Sequence, residues 1–420
     1  MIRAIVLDIE GTTSALSVLK EVLAPYARAQ LRPYLRSHQT PEVEEALAAA
    51  RVLAEEPDAD RERTIGILER WIDEDRKAPP LKTLQGLIWE RGYRDGSLRA
   101  HVYPDVAPAL RGWREAGYAL YVYSSGSVLA QRLFFEHTLE GDLRGYFSGW
   151  FDTRVGPKHS PTAYRAIAQA LSLHPQQIAF LSDAQAELDA ATEVGFYAYG
   201  VAREGNPPIR GRVVHDFSQT SMSAIARLVA LTRYCSARGW VEATSGNLSL
   251  RLDGAIAITA SGRDKSALSI ADIAWVDEAA RPRAGSQKPS AETSLHCALY
   301  RARHDVNAVA HTHSVACTVL SRRYLGAGVL ILSGFEMQKA LAGVGTHEQS
   351  VPIPVVANAQ DMTVLAARID EALARFPTAP AYLVAGHGLT TWGSDAATVK
   401  RQLEALEFLF ACRLAEDQSI

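Results

Sequence analysis

The chain has 420 residues, more than one hydrophobic core usually organises, so two domains or three are expected. Apolar residues make up 47% and charged residues 22%, a globular balance that excludes disordered and fibrous chains. The 44 Lys and Arg against 47 Asp and Glu leave a formal charge of −3, without the basic footprint of a nucleic-acid binder.

The first apolar run, Ala4 to Leu7, is too short for a secretory core, and no later stretch reaches membrane-spanning length, so no membrane partner is expected. Ended by Asp8 and Gly11, that run suits a buried parallel strand with chemistry at its carboxyl end. From Ser14 to about Gly92 the periodicity is helical, with Leu16, Leu19, Val22 and Leu23 forming one stripe and Ile65, Leu68, Trp71 and Ile72 another. Strands are predicted at Ala119–Tyr123, Gly149–Thr153, Ile178–Ser182 and Phe196–Ala202, with helices between most of them, which argues a doubly wound parallel sheet. The Gly- and Pro-rich stretch EGNPPIRGR and the polar run SQTS then place a boundary near Ser221, giving domains 1–220 and 221–420. The second half opens with a helix from Met222 to about Arg238, strands at Leu248–Leu252 and Ala255–Ile258, and further helices and short strands. Cys235, Cys297, Cys317 and Cys412 form no CxxC pair, which excludes a disulfide framework and predicts a reducing cytoplasm. No internal repeat is present.

Two constellations carry chemistry. In DIEGTT, Asp8 and Glu10 put two carboxylates at one strand end, and the later strand ends bring Ser124 and Ser125, Lys158 in RVGPKHSP, and Asp183 followed by Glu187 and Asp189. In a parallel sheet these ends converge on one crevice. A carboxylate that attacks phosphorus needs its repulsion for phosphate screened, by Mg²⁺, a lysine and hydroxyl donors. Singly, each piece is an ordinary cap, turn or surface charge.

Together and in this order, the pieces resemble the haloacid dehalogenase superfamily of phosphatases, and the helical insert at about 14–100 resembles its cap. Glu10, where most members carry Asp, together with KTLQGLIWERGY, YSSGS and FLSDAQAELDAA, resembles the enolase-phosphatase family of methionine salvage. The resemblance implies that Asp8 is the nucleophile, that Ser124 and Ser125 bind the phosphoryl group and that Lys158 neutralises it. It also implies Mg²⁺ held by Asp8, Glu10 through its carbonyl, and Asp183. The group that performs enolisation is not legible.

In the second half, His311 and His313 of VAHTHSVA sit two apart after an apolar run, so on a strand both imidazoles share a face. His387 in LVAGHGLTTWG adds a third, and three neutral imidazoles leave a fourth zinc position open for substrate, although iron and manganese also accept histidine. Two loops rich in hydroxyls and backbone donors, around Ser245, Gly246 and Asn247 and around Ser261, Gly262 and Lys265, suit a phosphate.

These loops with KPSAETSLH, HTHS and AGHG resemble the class II aldolase fold, and LSGFEMQKAL resembles its methylthioribulose 1-phosphate dehydratase branch. The resemblance implies Zn²⁺ on His311, His313 and His387, and Glu336 moving the proton. Glu292 in PSAETSLH stands where aldolases of this fold place a carboxylate, which keeps a sugar-phosphate aldolase as the alternative. Relatives of this half imply a homo-oligomer through it. The two resemblances imply consecutive steps on a phosphorylated methylthio-sugar, against the alternative that one half is a non-catalytic assembly module.

Overall fold

A computed structural model describes residues 1–76 and 78–418. The chain divides into two compact units, Met1–Arg114 with Tyr118–Thr220, and Ser221–Ile420 with Glu115–Gly117.

The first unit begins with β1 (Ala4–Leu7), wholly buried. Before the chain returns to the sheet it forms four helices, α1 (Ala24–Ser37), α2 (Pro41–Leu53), α3 (Arg61–Asp73) and α4 (Pro79–Arg94). The side chains of Thr40 and Asp60 cap α2 and α3 by accepting from Val43 and Arg63 backbone amides, and Pro41 occupies the first turn of α2. The four helices bury their own apolar cluster, including Leu31, Leu35, Leu47, Ile65, Leu68, Trp71 and Ile88. The expected stripe of Leu16, Leu19 and Val22 is instead exposed, at 40%, 45% and 42%. Residues 19–23 form a π-helical turn, whose wider winding takes a 3.6-residue repeat off any one face.

The remaining elements alternate: α5 (Val106–Ala116), β2 (Ala119–Tyr123), α6 (Val128–Glu136), β3 (Gly149–Phe151), α7 (Pro161–Leu171), β4 (Ile178–Ser182), α8 (Gln185–Val194), β5 (Tyr197–Val201) and β6 (Val213–Val214). The six strands are all parallel in the order β3-β2-β1-β4-β5-β6. This is a doubly wound α/β sheet with its crevice at the reversal beside β1. Leu7 is in register with Val122 and Leu181, so Asp8, Ser124 and Asp183 emerge from adjacent strand ends.

The second unit contains α9 (Ser221–Ala237), β7 (Asn247–Leu252), β8 (Ala255–Thr259), β9 (Ile273–Val276), α10 (Thr293–Ala302), β10 (Ala308–Thr312), α11 (Val315–Arg323), β11 (Val329–Leu332), β12 (Val351–Val356), α12 (Met362–Arg375), β13 (Ala381–Val384), β14 (Gly388–Gly393) and α13 (Ala396–Glu416). Its eight strands run β11-β12-β13-β14-β10-β7-β8-β9, antiparallel except for β12 beside β13. One face buries Val309, Tyr382 and Trp392 against Leu295, Leu299, Leu365 and Ile369 of α10 and α12. Helix α13 also packs against β10 and β14, and α11 against β14. Among the described residues, no helix is long and apolar enough to cross a membrane.

Candidate active sites

At the strand ends of the first unit, Lys158 Nζ lies 2.5 Å from Asp8 Oδ1 and 2.9 Å from Glu187 Oε2. Burial alone pulls the ammonium toward neutrality, but the charges of Asp8 and Glu187 outweigh it and raise its pKa. Burial first, and the charge of Asp8 second, push Asp183 up to about 6, Glu187 up to about 7, and Glu10 above the ordinary carboxylate range. A site that drives its acids toward protonation is short of positive charge, and its oxygen-only donor set suits Mg²⁺. The Ser124 hydroxyl lowers the Glu10 pKa in part, against burial and the charge of Asp8. Ser124 is buried, whereas Ser125 is exposed.

The loop after Asp8 is fixed from several sides. Thr13 Oγ1 donates to the carbonyls of Asp8 and Ile9 at 3.3 and 3.2 Å. Arg203, 8% exposed, donates from Nε and Nη2 to the Thr12 carbonyl, both at 3.1 Å, and pairs with Asp105 at 2.9 Å. Gly11 has φ +72°, and a Cβ there lies 2.1 Å from Asp183 Oδ2, so only glycine lets Asp183 approach.

In the second unit, β10 sits between β14 and β7 and delivers His311 and His313 to one place. His311 Nε2 is 2.8 Å from His313 Nε2 and 3.3 Å from His387 Nε2. Glu292, the residue before α10, places Oε1 3.2 Å from His387 Nε2 and 3.5 Å from His311 Nε2. Among the described residues this is the group of three or more His, Cys, Asp or Glu side chains whose donor atoms lie within 4.8 Å of one another. Burial first, then neighbouring imidazoles, push His311 and His313 down to about 3, so both are neutral. His311 Nδ1 lies 3.0 Å from the Leu389 carbonyl and from Thr390 Oγ1, so Nδ1–H donates there and Nε2 is left as a bare acceptor. Three imidazole nitrogens and a carboxylate oxygen suit zinc, whose tetrahedral ligands stand about 3.3 Å apart.

The two loops are placed unequally. Ser245 Oγ and Asn247 Oδ1 are buried without a partner, while Asn247 Nδ2 donates to Glu292 Oε2 at 2.7 Å. Ala243 and Thr244 hold left-handed backbone, at φ +49° and +67°. Ser261 and Gly262 are exposed. Lys265 is 2% exposed, and its ammonium donates to the carbonyls of Thr244 and Arg263 at 3.2 and 3.1 Å. In this geometry Lys265 braces the first loop.

Glu336 is not in the histidine cluster. It opens a 3₁₀ turn over Glu336–Ala340, its side chain is 71% exposed, and its ion-pair partners are Lys339 and, at 3.6 Å, His347.

Residues 2–195 match the haloacid dehalogenase-like hydrolase family. Enolase-phosphatase E1 of Methylococcus capsulatus is 56% identical over 206 residues, which cover 49% of this chain and 91% of that protein. The chain belongs to the enolase-phosphatase family. Enolase-phosphatase E1 of Pseudomonas syringae is 52% identical over 218 residues, 52% of this chain and 96% of that one. Beyond the enolase-phosphatase half, residues 226–414 match the class II aldolase and adducin N-terminal domain family, so the architecture is a fusion. Of solved structures, the UTR4 protein of Saccharomyces cerevisiae aligns with 30% identity over 52% of this chain and 100% of its own, at a TM-score of 0.46. L-fuculose-1-phosphate aldolase of Thermus thermophilus aligns with 24% identity over 47% of this chain and 99% of its own, at 0.38.

Sequence reasoning gave Glu187 of the enolase-phosphatase half no role, although it lies four residues after Asp183, one turn into α8, where it reaches Lys158. Arg203 offered no signal, because its partners Thr12 and Asp105 are 191 and 98 residues away.

Proposed function

We propose that this enzyme catalyses two consecutive steps of methionine salvage. Residues 221–420 dehydrate 5-methylthioribulose 1-phosphate to 2,3-diketo-5-methylthiopentyl 1-phosphate. Residues 1–220, with the insert at about 14–100 as cap, enolise that diketone and remove its phosphate, giving 1,2-dihydroxy-3-keto-5-methylthiopentene. The observation that carries the reading is the presence, in one chain, of an Asp8–Lys158 pair at the strand ends of an enolase-phosphatase half and a three-imidazole centre in an aldolase-type half.

In the first half an Asp8 oxygen attacks phosphorus, the enol oxygen leaves, and water then frees phosphate from the aspartyl group. Lys158 cancels charge on Asp8 and on the incoming phosphoryl group, which Ser124 and Ser125 receive. Asp8, Asp183 and the Glu10 carbonyl would hold Mg²⁺, which screens the attacking carboxylate from the phosphate when bound.

In the second half His311, His313 and His387 would hold Zn²⁺, which when bound acidifies the C–H beside the substrate ketone. Ser245, Gly246 and Asn247, with Ser261, Gly262 and Lys265, receive the phosphate, and Lys265 also braces the first loop. Glu336 takes the proton, and the hydroxyl on the adjacent carbon leaves as water. Its exposed position fits delivery to the site of a neighbouring copy, in the homo-oligomer we expect through this half. The free thiols Cys235, Cys297, Cys317 and Cys412 fit a reducing cytoplasm.

Glu292 favours a second reading. A carboxylate 3.2 Å from His387 Nε2 is placed to move a proton in a carbon–carbon lyase, which makes this half a sugar-phosphate aldolase.

Phosphate release from methylthioribulose 1-phosphate, with Mg²⁺ and Zn²⁺ supplied, separates these. Wild type is expected to release phosphate, Asp8→Asn and Glu336→Gln to fail alone, and their mixture to recover. A three-carbon cleavage product in place of the diketone selects the aldolase. No turnover of any kind removes the two-step reading.

A further inference from the structure

On β10 the residues alternate, so His311 and His313 face one way while Thr312 faces the layer where α13 packs. On that helix, behind the histidines, Glu407 is 6% exposed between the buried residues Leu403, Leu406, Leu409 and Phe410. Its carboxyl accepts from the Thr312 hydroxyl at 3.4 Å, and the Ser314 hydroxyl, on the other side of His313, acts with Thr312 to lower its pKa against the effect of burial. Ser314 in turn caps α11 by accepting from the Cys317 amide at 3.2 Å. Among the described residues no cation offsets the burial of Glu407, which raises its pKa to about 7.

A carboxyl set among apolar side chains without a counter-ion opposes folding, and a leucine at 407 would fill the same layer without that cost. What a leucine cannot do is hold two hydroxyls of the segment His311–Ser314. Those hydroxyls belong to the residues on either side of His313, so a group that ties both fixes the backbone from which the imidazoles project.

We infer that Glu407 is a positioning residue of the histidine centre, which sets the direction of His311 and His313 from the rear of β10 through Thr312 and Ser314. The inference rests on the reading of the His311, His313 and His387 cluster as a metal site. Partners that orient metal-binding imidazoles commonly change metal affinity by about 10- to 100-fold when removed.

The test is zinc affinity of the full-length chain, stripped of metal, kept in excess Mg²⁺ and titrated with zinc against a chromophoric chelator. His311→Ala defines loss of the site. Glu407→Leu and Thr312→Val are each expected to weaken zinc by about tenfold or more, and Glu407→Gln, which keeps a hydrogen-bonding group, to stay within about threefold of wild type. Thr312→Val preserves shape, so it carries the test if Glu407→Leu does not fold. The double variant should be no weaker than about twice Glu407→Leu, because Glu407→Leu has already removed the bond that Thr312→Val takes away. If both single variants hold zinc within about twofold of wild type while His311→Ala loses it, Glu407 positions nothing. Wild type that binds no zinc overturns the metal-site reading and this inference together.

Discussion

Lys158 Nζ stands between two carboxylates, 2.5 Å from Asp8 Oδ1 and 2.9 Å from Glu187 Oε2. Lys158→Met keeps the length of the side chain and removes its charge. Asp8 then meets an incoming phosphoryl group with no cation from the chain beside it, and Glu187, already raised to about 7, takes up protons more readily. Phosphate release from the diketone phosphate should fall by about 10²- to 10³-fold at saturating Mg²⁺. A loss smaller than about tenfold would mean that Lys158 is a structural strut for α8.

Gly11 and Gly96 both have left-handed backbone, at φ +72° and +80°, but a Cβ on Gly96 meets nothing within 4 Å whereas one on Gly11 meets Asp183 Oδ2 at 2.1 Å. Alanine at either position costs about 1–2 kcal/mol in backbone strain. Only Gly11→Ala displaces Asp183 as well. Thermal unfolding should therefore fall at least as far in Gly11→Ala as in Gly96→Ala, while the Mg²⁺ concentration for half-maximal phosphate release rises in Gly11→Ala alone. An equal Mg²⁺ requirement in both removes Asp183 from the metal site.

What the sequence reveals about these sites follows the range of the interactions. Asp8 ends an apolar run, and His311 and His313 obey the two-residue period of a strand, so a local pattern exposes them. The parallel sheet of the first half is legible because most of its strands are separated by helices. In the second half β10 pairs with β14 and β7, 79 and 64 positions away at His311, a relationship that no local periodicity carries. Lys265 is legible as a cation on a phosphate-type loop, but its burial and its bonds to the carbonyls of Thr244 and Arg263 appear only in the fold. Glu407, in the run LEALEFLF, looks like the solvated acid of an amphipathic helix because nothing in the sequence says that α13 is covered on that side.

Glu292 is held from two directions, by Asn247 Nδ2 at 2.7 Å on one oxygen and by the imidazoles of His387 and His311 on the other. Glu292→Gln keeps the bond to Asn247 through its oxygen or loses it by rotation, but in either case removes the negative charge. If the carboxylate belongs to the metal centre, zinc affinity falls by about 10- to 100-fold, and if it moves a proton, turnover falls with zinc affinity nearly intact. Chelator competition alongside the dehydration assay reads both. A variant unchanged in affinity and in turnover shows that Glu292 only fills the space beside His387.

Stability should depend on pH through Glu407 with a definite sign. In the unfolded chain its carboxyl titrates at the ordinary 4.5, and burial lifts it to about 7 in the fold. Between those values the folded chain binds more protons than the unfolded one, so stability falls as pH rises through that window, by at most about 3 kcal/mol. The flanking titratable groups, the thiols of Cys235 on α9 and Cys317 on α11, are both pushed up to about 12 by burial and stay neutral throughout. Glu407→Gln cannot ionise, so it should match wild type near pH 4.5 and exceed it increasingly up to about pH 8. Urea unfolding of metal-free protein at several pH values measures the difference, with the transition that added zinc shifts marking the second half. A difference that stays constant with pH means that Glu407 remains ionised in the fold.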